Sequence, residues 1–159
     1  MAKNTWDLMA QAIQAEMEAQ EFYSGIAGQV KNFILNDKFK YLSREEDGHR
    51  RLLTKLYEER FPDHPLKLPD KSGTPMPNVQ LSKTNRLSDV LEVAMAAEKA
   101  AQKFYKNLAG KMDAEEDKNL LMYLSNIEGG HYYFLNLERE QALRYEDYYE
   151  VSDMMSAGP

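Results

Sequence analysis

Two stretches of this chain, AIQAEMEAQEFYSGIAG at residues 12–28 and AMAAEKAAQKFYKNLAG at residues 94–110, follow one pattern. A shift of 82 residues also aligns YLSREEDGH at residues 41–49 with YLSNIEGGH at residues 123–131. Over residues 12–49 the two copies agree at 15 of 38 positions, whereas unrelated sequences of ordinary composition agree at roughly 6–8%. The fold is therefore expected to consist of two similar halves.

Both halves have the pattern of helical hairpins. Their apolar residues recur at the three- and four-residue spacing of an amphipathic helix. Five of the six prolines lie between Pro62 and Pro77, so residues 1–61 and 78–158 contain none. Because proline breaks a helix interior at a cost of about 3 kcal/mol, the two proline-free blocks are predicted to be helical.

The helix boundaries follow from capping residues. The first two helices are expected to be separated at residues 31–37, with Asn36 or Asp37 as the N-cap of the second helix. The third helix is predicted to begin near residues 85–89. The fourth is predicted to begin at residues 113–116, where an acidic first turn favours a helix N-terminus.

Two hairpins joined by one long connection form an all-α, ferritin-like four-helix bundle. We predict a single domain with hairpin 1 at about residues 5–60, a crossover at 61–85, hairpin 2 at about 86–145 and a tail at 146–159 that could add a short helix. The crossover, at up to ~3.3 Å per extended residue, can run the length of a bundle helix.

Composition excludes several classes of protein. The chain has no cysteine, so it holds no disulfide, thiolate zinc site or iron–sulfur cluster. Its net charge of -6 argues against a nucleic-acid partner, which needs a basic face. No stretch approaches the ~20 apolar residues of a membrane span, and no signal segment is visible. We therefore expect a cytoplasmic protein without a membrane partner.

Two Glu-x-x-His motifs carry the chemistry. On a helix, residues three apart share one face, so a carboxylate and an imidazole at this spacing can bind one metal ion. Each remaining helix adds a glutamate at the matching position of the repeat, which completes the pattern of di-metal carboxylate bundles. The six predicted metal ligands are Glu16, Glu46, His49, Glu98, Glu128 and His131.

Iron or manganese suits such oxygen and nitrogen ligands, and zinc could also bind them. Surface glutamates and histidines retained by duplication are the alternative, but Ala15, Ala19 and Phe22 place Glu16 beside an apolar stripe. Tyr23 and Tyr105 follow the lone glutamates by seven residues, and we expect them to hydrogen-bond the ligand carboxylates.

With these motifs the chain resembles the rubrerythrin family over about residues 5–145. The resemblance implies a site for two iron ions that reduces hydrogen peroxide or dioxygen, with no catalytic residue beyond the metal ligands. Glu16 and Glu98 are expected to be the bridging or flexible ligands, and His49 and His131 the terminal ones.

Two departures from the family are visible. Without cysteine the chain lacks the rubredoxin domain, so the resemblance implies a separate electron-donor protein, such as a rubredoxin. The additional family glutamate, about one turn after Glu98, is absent, because the residues that follow carry no carboxylate: Lys99, Ala100, Ala101 and Gln102. We also expect a homodimer. An iron-binding or ferroxidase module and a bundle with a structural role are the alternative functions.

Overall fold

A computed structural model describes residues 4–73 and 86–144, and within these residues all regular structure is helical. The four helices are α1 (Thr5–Gln29), α2 (Phe33–Arg60), α3 (Leu87–Ala109) and α4 (Glu115–Arg144). The prediction of an all-α bundle of two hairpins is therefore confirmed. The tail at residues 146–159, with its proposed short helix, and the end of the crossover lie outside the described residues.

The connection between α1 and α2 is shorter than predicted. Asn32 is the N-cap of α2, and its side chain accepts a hydrogen bond from the backbone N–H of Leu35. The prediction of Asn36 or Asp37 as the cap was wrong, because the chain turns within three residues and Asn32 is the first side chain able to satisfy the helix N-terminus. Asn36 instead donates from its side chain to the carbonyl of Ala27.

Repeat-equivalent contacts hold each hairpin together. Ser43 Oγ on α2 donates to the carbonyl of Gln20 on α1 at 3.2 Å. Ser125 Oγ on α4 donates to the carbonyl of Gln102 on α3 at 2.9 Å. Both pairs are separated by the same 23 residues, so the repeat in the sequence is also a repeat of helix packing.

Ion pairs join the two hairpins at both ends of α2 and α4. Lys38 near the start of α2 pairs with Glu138 near the end of α4. At the other end, Arg60 Nε lies 2.7 Å from Asp117 Oδ2. Because the start of one helix meets the end of the other, α2 and α4 run antiparallel.

The apolar core is divided into two clusters. One contains Met9 and Ile13 of α1 with Leu121 and Leu124 of α4, among others. The second lies further along α1 and includes Tyr23 and Ile26, again with residues of every helix. Glu16 lies between the two clusters along α1, so polar residues occupy the middle of the bundle.

The first part of the crossover is fixed to α1. Ser72 is buried, and both its backbone N–H and its hydroxyl donate to the carboxylate of Glu18. Gln11 donates to the carbonyl of the same serine. Nearer α2, the exposed His64 stacks on the ring of Trp6 with centroids 4.3 Å apart. The connection therefore lies against α1 rather than acting as a free linker.

Among the described residues, no helix combines the length and the apolar character that crossing a bilayer requires.

Replacing Glu18 with alanine is expected to lower the free energy of unfolding by about 2 kcal/mol, because hydrogen bonds from Ser72 to a carboxylate are lost. Urea denaturation followed by far-ultraviolet circular dichroism measures the change. Glu21, an exposed glutamate one turn further along α1, provides the control, and Glu21→Ala should stay within about 0.5 kcal/mol of the parent. Equal losses in the two variants would show that Glu18 does not anchor the crossover.

Candidate metal centre

All six residues predicted as metal ligands meet in the middle of the bundle. Each helix contributes one glutamate to the centre, and α2 and α4 each add the histidine of their Glu-x-x-His motif. Every one of the six is buried, and Glu46 and Glu128 are only 1% exposed. These residues form two overlapping groups whose candidate ligand atoms lie within 4.8 Å of one another. The helical spacing read from the sequence therefore places every predicted residue at one site.

The first group is arranged around His49. Its Nδ1 atom lies 3.1 Å from Glu128 Oε1, 3.2 Å from Glu46 Oε2 and 3.6 Å from Glu16 Oε2. One imidazole nitrogen therefore faces three carboxylates that come from three different helices. This is a set of donors that suits a divalent metal such as iron, manganese or zinc.

The second group mirrors the first around His131. Its Nδ1 atom lies 3.1 Å from Glu46 Oε1, 3.2 Å from Glu128 Oε2 and 3.7 Å from Glu98 Oε2. The corresponding distances in the two groups differ by no more than a tenth of an ångström. The centre therefore has the approximate two-fold symmetry of the sequence repeat.

The shared residues of the centre are Glu46 and Glu128. Both belong to both groups, and each directs one carboxylate oxygen toward each histidine. Glu16 and Glu98 belong to one group each. The sequence led us to expect Glu16 and Glu98 as the bridging or flexible ligands. The geometry favours Glu46 and Glu128 for the shared position, because these two lie between the histidines, and it leaves Glu16 and Glu98 to one group each.

Unsatisfied polar atoms show that the centre fits a metal. Glu46 Oε1, Glu128 Oε1 and both Nδ1 atoms are buried without a hydrogen-bond partner among the described residues. The nitrogens lie close to carboxylate oxygens, but the directions of approach do not suit an N–H donor. Buried polar groups are nearly always paired, so lone pairs that converge in this way match a bound cation. Two divalent ions would carry the four positive charges that offset four carboxylates.

The pKa values of the glutamates reflect their burial and the close approach of the other charged groups. Burial raises the pKa of Glu16 well above its usual range, and the carboxylates of Glu128 and Glu46 raise it further. Burial is also the main reason that the pKa of Glu98 is raised. Burial opposes ionisation of Glu128 as well, but the two histidines outweigh it and lower the pKa of that carboxyl to about 2.

The histidines respond to the same charges in the opposite direction. Burial disfavours the imidazolium form of His49, but the facing carboxylates, led by Glu128, outweigh this effect and raise its pKa to about 12. The pKa of His131 is raised in the same way. Without a cation, protons therefore offset the negative charge of the site, and a metal ion has to displace them in order to bind.

The two tyrosines expected to hydrogen-bond the ligand carboxylates do so across the two hairpins. Tyr23 on α1 donates its hydroxyl hydrogen bond to Glu98 on α3, and Tyr105 on α3 donates to Glu16 on α1. Neither tyrosine bonds the glutamate of its own helix. Burial raises the pKa of Tyr23, and the charge of Glu98 adds to this effect, so the phenol remains a donor. Each unshared glutamate is thus held in position from the opposite half.

A small cavity reaches the centre between α1 and α3. Its volume is about 20 Å³, enough for one or two water molecules. The four glutamates of the centre line this cavity together with four alanines, which are Ala15, Ala19, Ala97 and Ala101. These alanines were not predicted to be functional from the sequence. The signal was present, since the repeat preserves alanine immediately before and three residues after both lone glutamates.

Comparisons with known proteins agree with this description. The family model described as Rubrerythrin matches residues 7–139. A solved structure, a hypothetical protein from Pyrococcus furiosus, is 34% identical to this chain with a TM-score of 0.79, and the match covers 89% of this chain and 92% of that one. No curated protein sequence matches the chain.

Alanine variants are expected to distinguish shared from unshared ligands. Glu16→Ala should retain about one metal ion per chain, whereas Glu46→Ala should retain almost none, because Glu46 belongs to both groups. Elemental analysis after anaerobic loading with ferrous ion measures the difference. Glu45→Ala, on the neighbouring position of α2, is the control and should keep the parent's content. Equal losses in Glu16→Ala and Glu46→Ala would contradict the shared role.

Replacing Tyr23 with phenylalanine should weaken metal binding by about 10- to 100-fold, because Glu98 loses the hydrogen bond that orients it. Competition with a chromophoric chelator measures the affinity. Tyr41→Phe, which alters an exposed tyrosine on α2, is the control and should bind metal as the parent does. An unchanged affinity in Tyr23→Phe would mean that Glu98 is positioned without its tyrosine.

Proposed function

The chain belongs to the rubrerythrin family, and from this premise we propose that it is a non-haem di-iron oxidoreductase. It would reduce hydrogen peroxide or dioxygen with electrons supplied by a separate donor protein, such as a rubredoxin. The observation that carries the proposal is the pair of buried ligand groups that share Glu46 and Glu128. This arrangement supports two metal ions held side by side, and two ferrous ions can together supply the two electrons that reduce one peroxide.

When bound at this centre, two ferrous ions would supply the two electrons that convert one hydrogen peroxide and two protons into two water molecules. The residues of this chain would hold these ions in fixed positions. Glu46 and Glu128 each face both histidines and would contribute to both metal positions, whereas His49 and His131 would each contribute to one.

The surrounding residues support the same chemistry. The hydroxyls of Tyr23 and Tyr105 hold Glu98 and Glu16, so the unshared carboxylates keep their orientation while the charge at the centre changes. The apolar clusters on either side keep bulk water out of the bundle. In such a dry site, charge–charge interactions are stronger than in water, which favours tight binding of two cations by four carboxylates.

The source of electrons has to lie outside the residues of this centre. The 159 residues contain no cysteine and therefore no rubredoxin-type iron site. The position one turn after Glu98 is Ala101, which lines the cavity and carries no carboxylate. We therefore propose a peroxidase in which the ligand set stays the same in both oxidation states, because no further carboxylate is available to exchange with a histidine at this position.

Mixing the reduced, iron-loaded protein with hydrogen peroxide should oxidise two ferrous ions per peroxide, at least about ten times faster than the same concentration of free ferrous ion. The near-ultraviolet absorption of ferric iron, followed by stopped flow, measures the rate. Addition of reduced rubredoxin should then regenerate the ferrous protein and sustain turnover.

Glu46→Ala with the same total iron is the control for this experiment and should react at the rate of free ferrous ion. Oxidation of the parent no faster than that of free ion would refute the peroxidase. Uptake of many more than two irons per chain, without turnover against peroxide, would favour the iron-handling alternative instead.

A further inference from the structure

The first turn of α2 exposes two large apolar side chains that the metal centre does not explain. Phe33 is 75% exposed and Ile34 is 60% exposed. At the equivalent positions of the repeat, α4 begins with Glu115 and Glu116, which suit the positive end of a helix dipole. An exposed apolar pair in place of such residues indicates a surface that contacts another segment of protein.

These two side chains line a groove between α2 and α4, which we call the α2–α4 groove. Its volume is about 320 Å³, and the other residues that line it are Asp37, Lys38, Tyr41 and Phe134. The rings of Tyr41 and Phe134, one from each hairpin, lie with their centroids 6.4 Å apart. Most of the lining is therefore aromatic or aliphatic, and both hairpins contribute to it.

The chain leaves the described residues close to this groove. Lys38 pairs with Glu138, so the end of α4 lies beside the start of α2. Arg144 follows Glu138 by six residues, which is about 9 Å along a helix. The chain therefore continues from the same end of the bundle as Phe33. From there, about five extended residues at ~3.3 Å each are enough to reach back to Phe134.

The residues that follow α4 have a composition that complements this groove. Residues 145–155 contain four acidic residues and no basic one. The aromatic and aliphatic residues of this stretch are Tyr145, Tyr148, Tyr149, Val151, Met154 and Met155. On the groove side, residues 31–44 contain four basic residues and one acidic residue. Two of the basic residues, Lys40 and Arg44, are exposed and share a helix face with Asp37 at the edge of the groove. The two segments therefore match in charge and in apolar character.

We propose that residues 145–155, which we call the acidic tail, fold back and bind in the α2–α4 groove of the same chain. The aromatic and methionine side chains of the tail cover Phe33 and Ile34, and its carboxylates lie beside Lys40 and Arg44. A second copy of the chain is the competing occupant. A segment tethered beside the groove, however, has an effective concentration in the millimolar range, which favours the tail. This contact is independent of the reaction at the metal centre.

A nitroxide spin label attached to Ser152→Cys tests the contact, because the chain has no other cysteine. The amide signals of the isotope-labelled, zinc-loaded protein are compared with the label oxidised and reduced. We expect residues 34–41 and Phe134 to lose at least about half of their intensity when the label is oxidised, because a tethered segment that matches its site is bound most of the time. Ile34→Glu should restore most of this intensity, since it places a negative charge against the acidic tail. The variant carries the residue type of the equivalent Glu116, so α2 should still form.

Tyr123→Glu is the matched control, because Tyr123 is 58% exposed and lies nearer the opposite end of α4. It should keep the signal loss of the parent. Phe33→Glu replaces Ile34→Glu if that variant does not fold. Equal signal loss in the parent and in the groove variant would overturn the proposal, because the label would then report only that the tail begins near α2.

A mixture of two chains separates the tail of the same chain from that of a second copy. One chain carries the spin label without isotopes, and the other carries isotopes without the cysteine. We expect no signal loss in the groove residues of this mixture. Signal loss there would assign the groove to a second copy and would also overturn the proposal.

Discussion

Four carboxylates buried around one point are the constraint on which the rest of the molecule depends. Removing ionised carboxylates from water costs several kcal/mol each unless opposite charges balance them. Here every helix contributes one of these groups, so the bundle cannot pack without solving the charge problem. Two divalent cations would supply four positive charges, and the histidines supply neutral nitrogen donors. Metal binding would therefore be linked energetically to the packing of the two hairpins against each other.

The hydrogen bonds and ion pairs within and between the hairpins show how the metal centre and the helix packing depend on each other. Within a hairpin, Ser43 and Ser125 join neighbouring helices at equivalent places. Between hairpins, the ion pairs lie at the ends of α2 and α4, and the tyrosine hydroxyls lie next to the centre. The middle of the bundle is thus held by groups that also orient the ligands. A disturbance of the centre is expected to be transmitted to the packing of both halves.

The sequence predicted the bundle and all six residues of the centre, because both follow from local spacing and from the repeat. A Glu-x-x-His motif fixes which side chains share a helix face, and the shift of 82 residues fixes which helices correspond. The features that it did not predict depend on distances between helices. The sharing of Glu46 and Glu128 follows from the position of their carboxylates between the two histidines, and no spacing within one helix reveals the distance to a side chain of another helix.

Two further features were not predicted from the sequence, for different physical reasons. The cap of α2 was misplaced because Asn32, Asn36 and Asp37 all have side chains that can cap, and the choice among them depends on how tightly the chain turns. The attachment of the crossover to Glu18 joins residues 54 apart, and such a contact has no signature in local sequence. The position of a helix cap depends on turn geometry, and the attachment of the crossover depends on tertiary structure. Helical periodicity in the sequence reveals neither.

The crossed tyrosines have a consequence for the origin of the molecule. One hairpin alone carries three of the six ligands, and its tyrosine has no partner until a glutamate arrives from another hairpin. An ancestral single hairpin would therefore have gained a complete centre only by associating with an identical copy around a two-fold axis. Duplication and fusion of its gene would have made that association permanent. After fusion the halves could diverge wherever symmetry was no longer needed, as at Glu18, which fixes the crossover, and its counterpart Ala100, which does not.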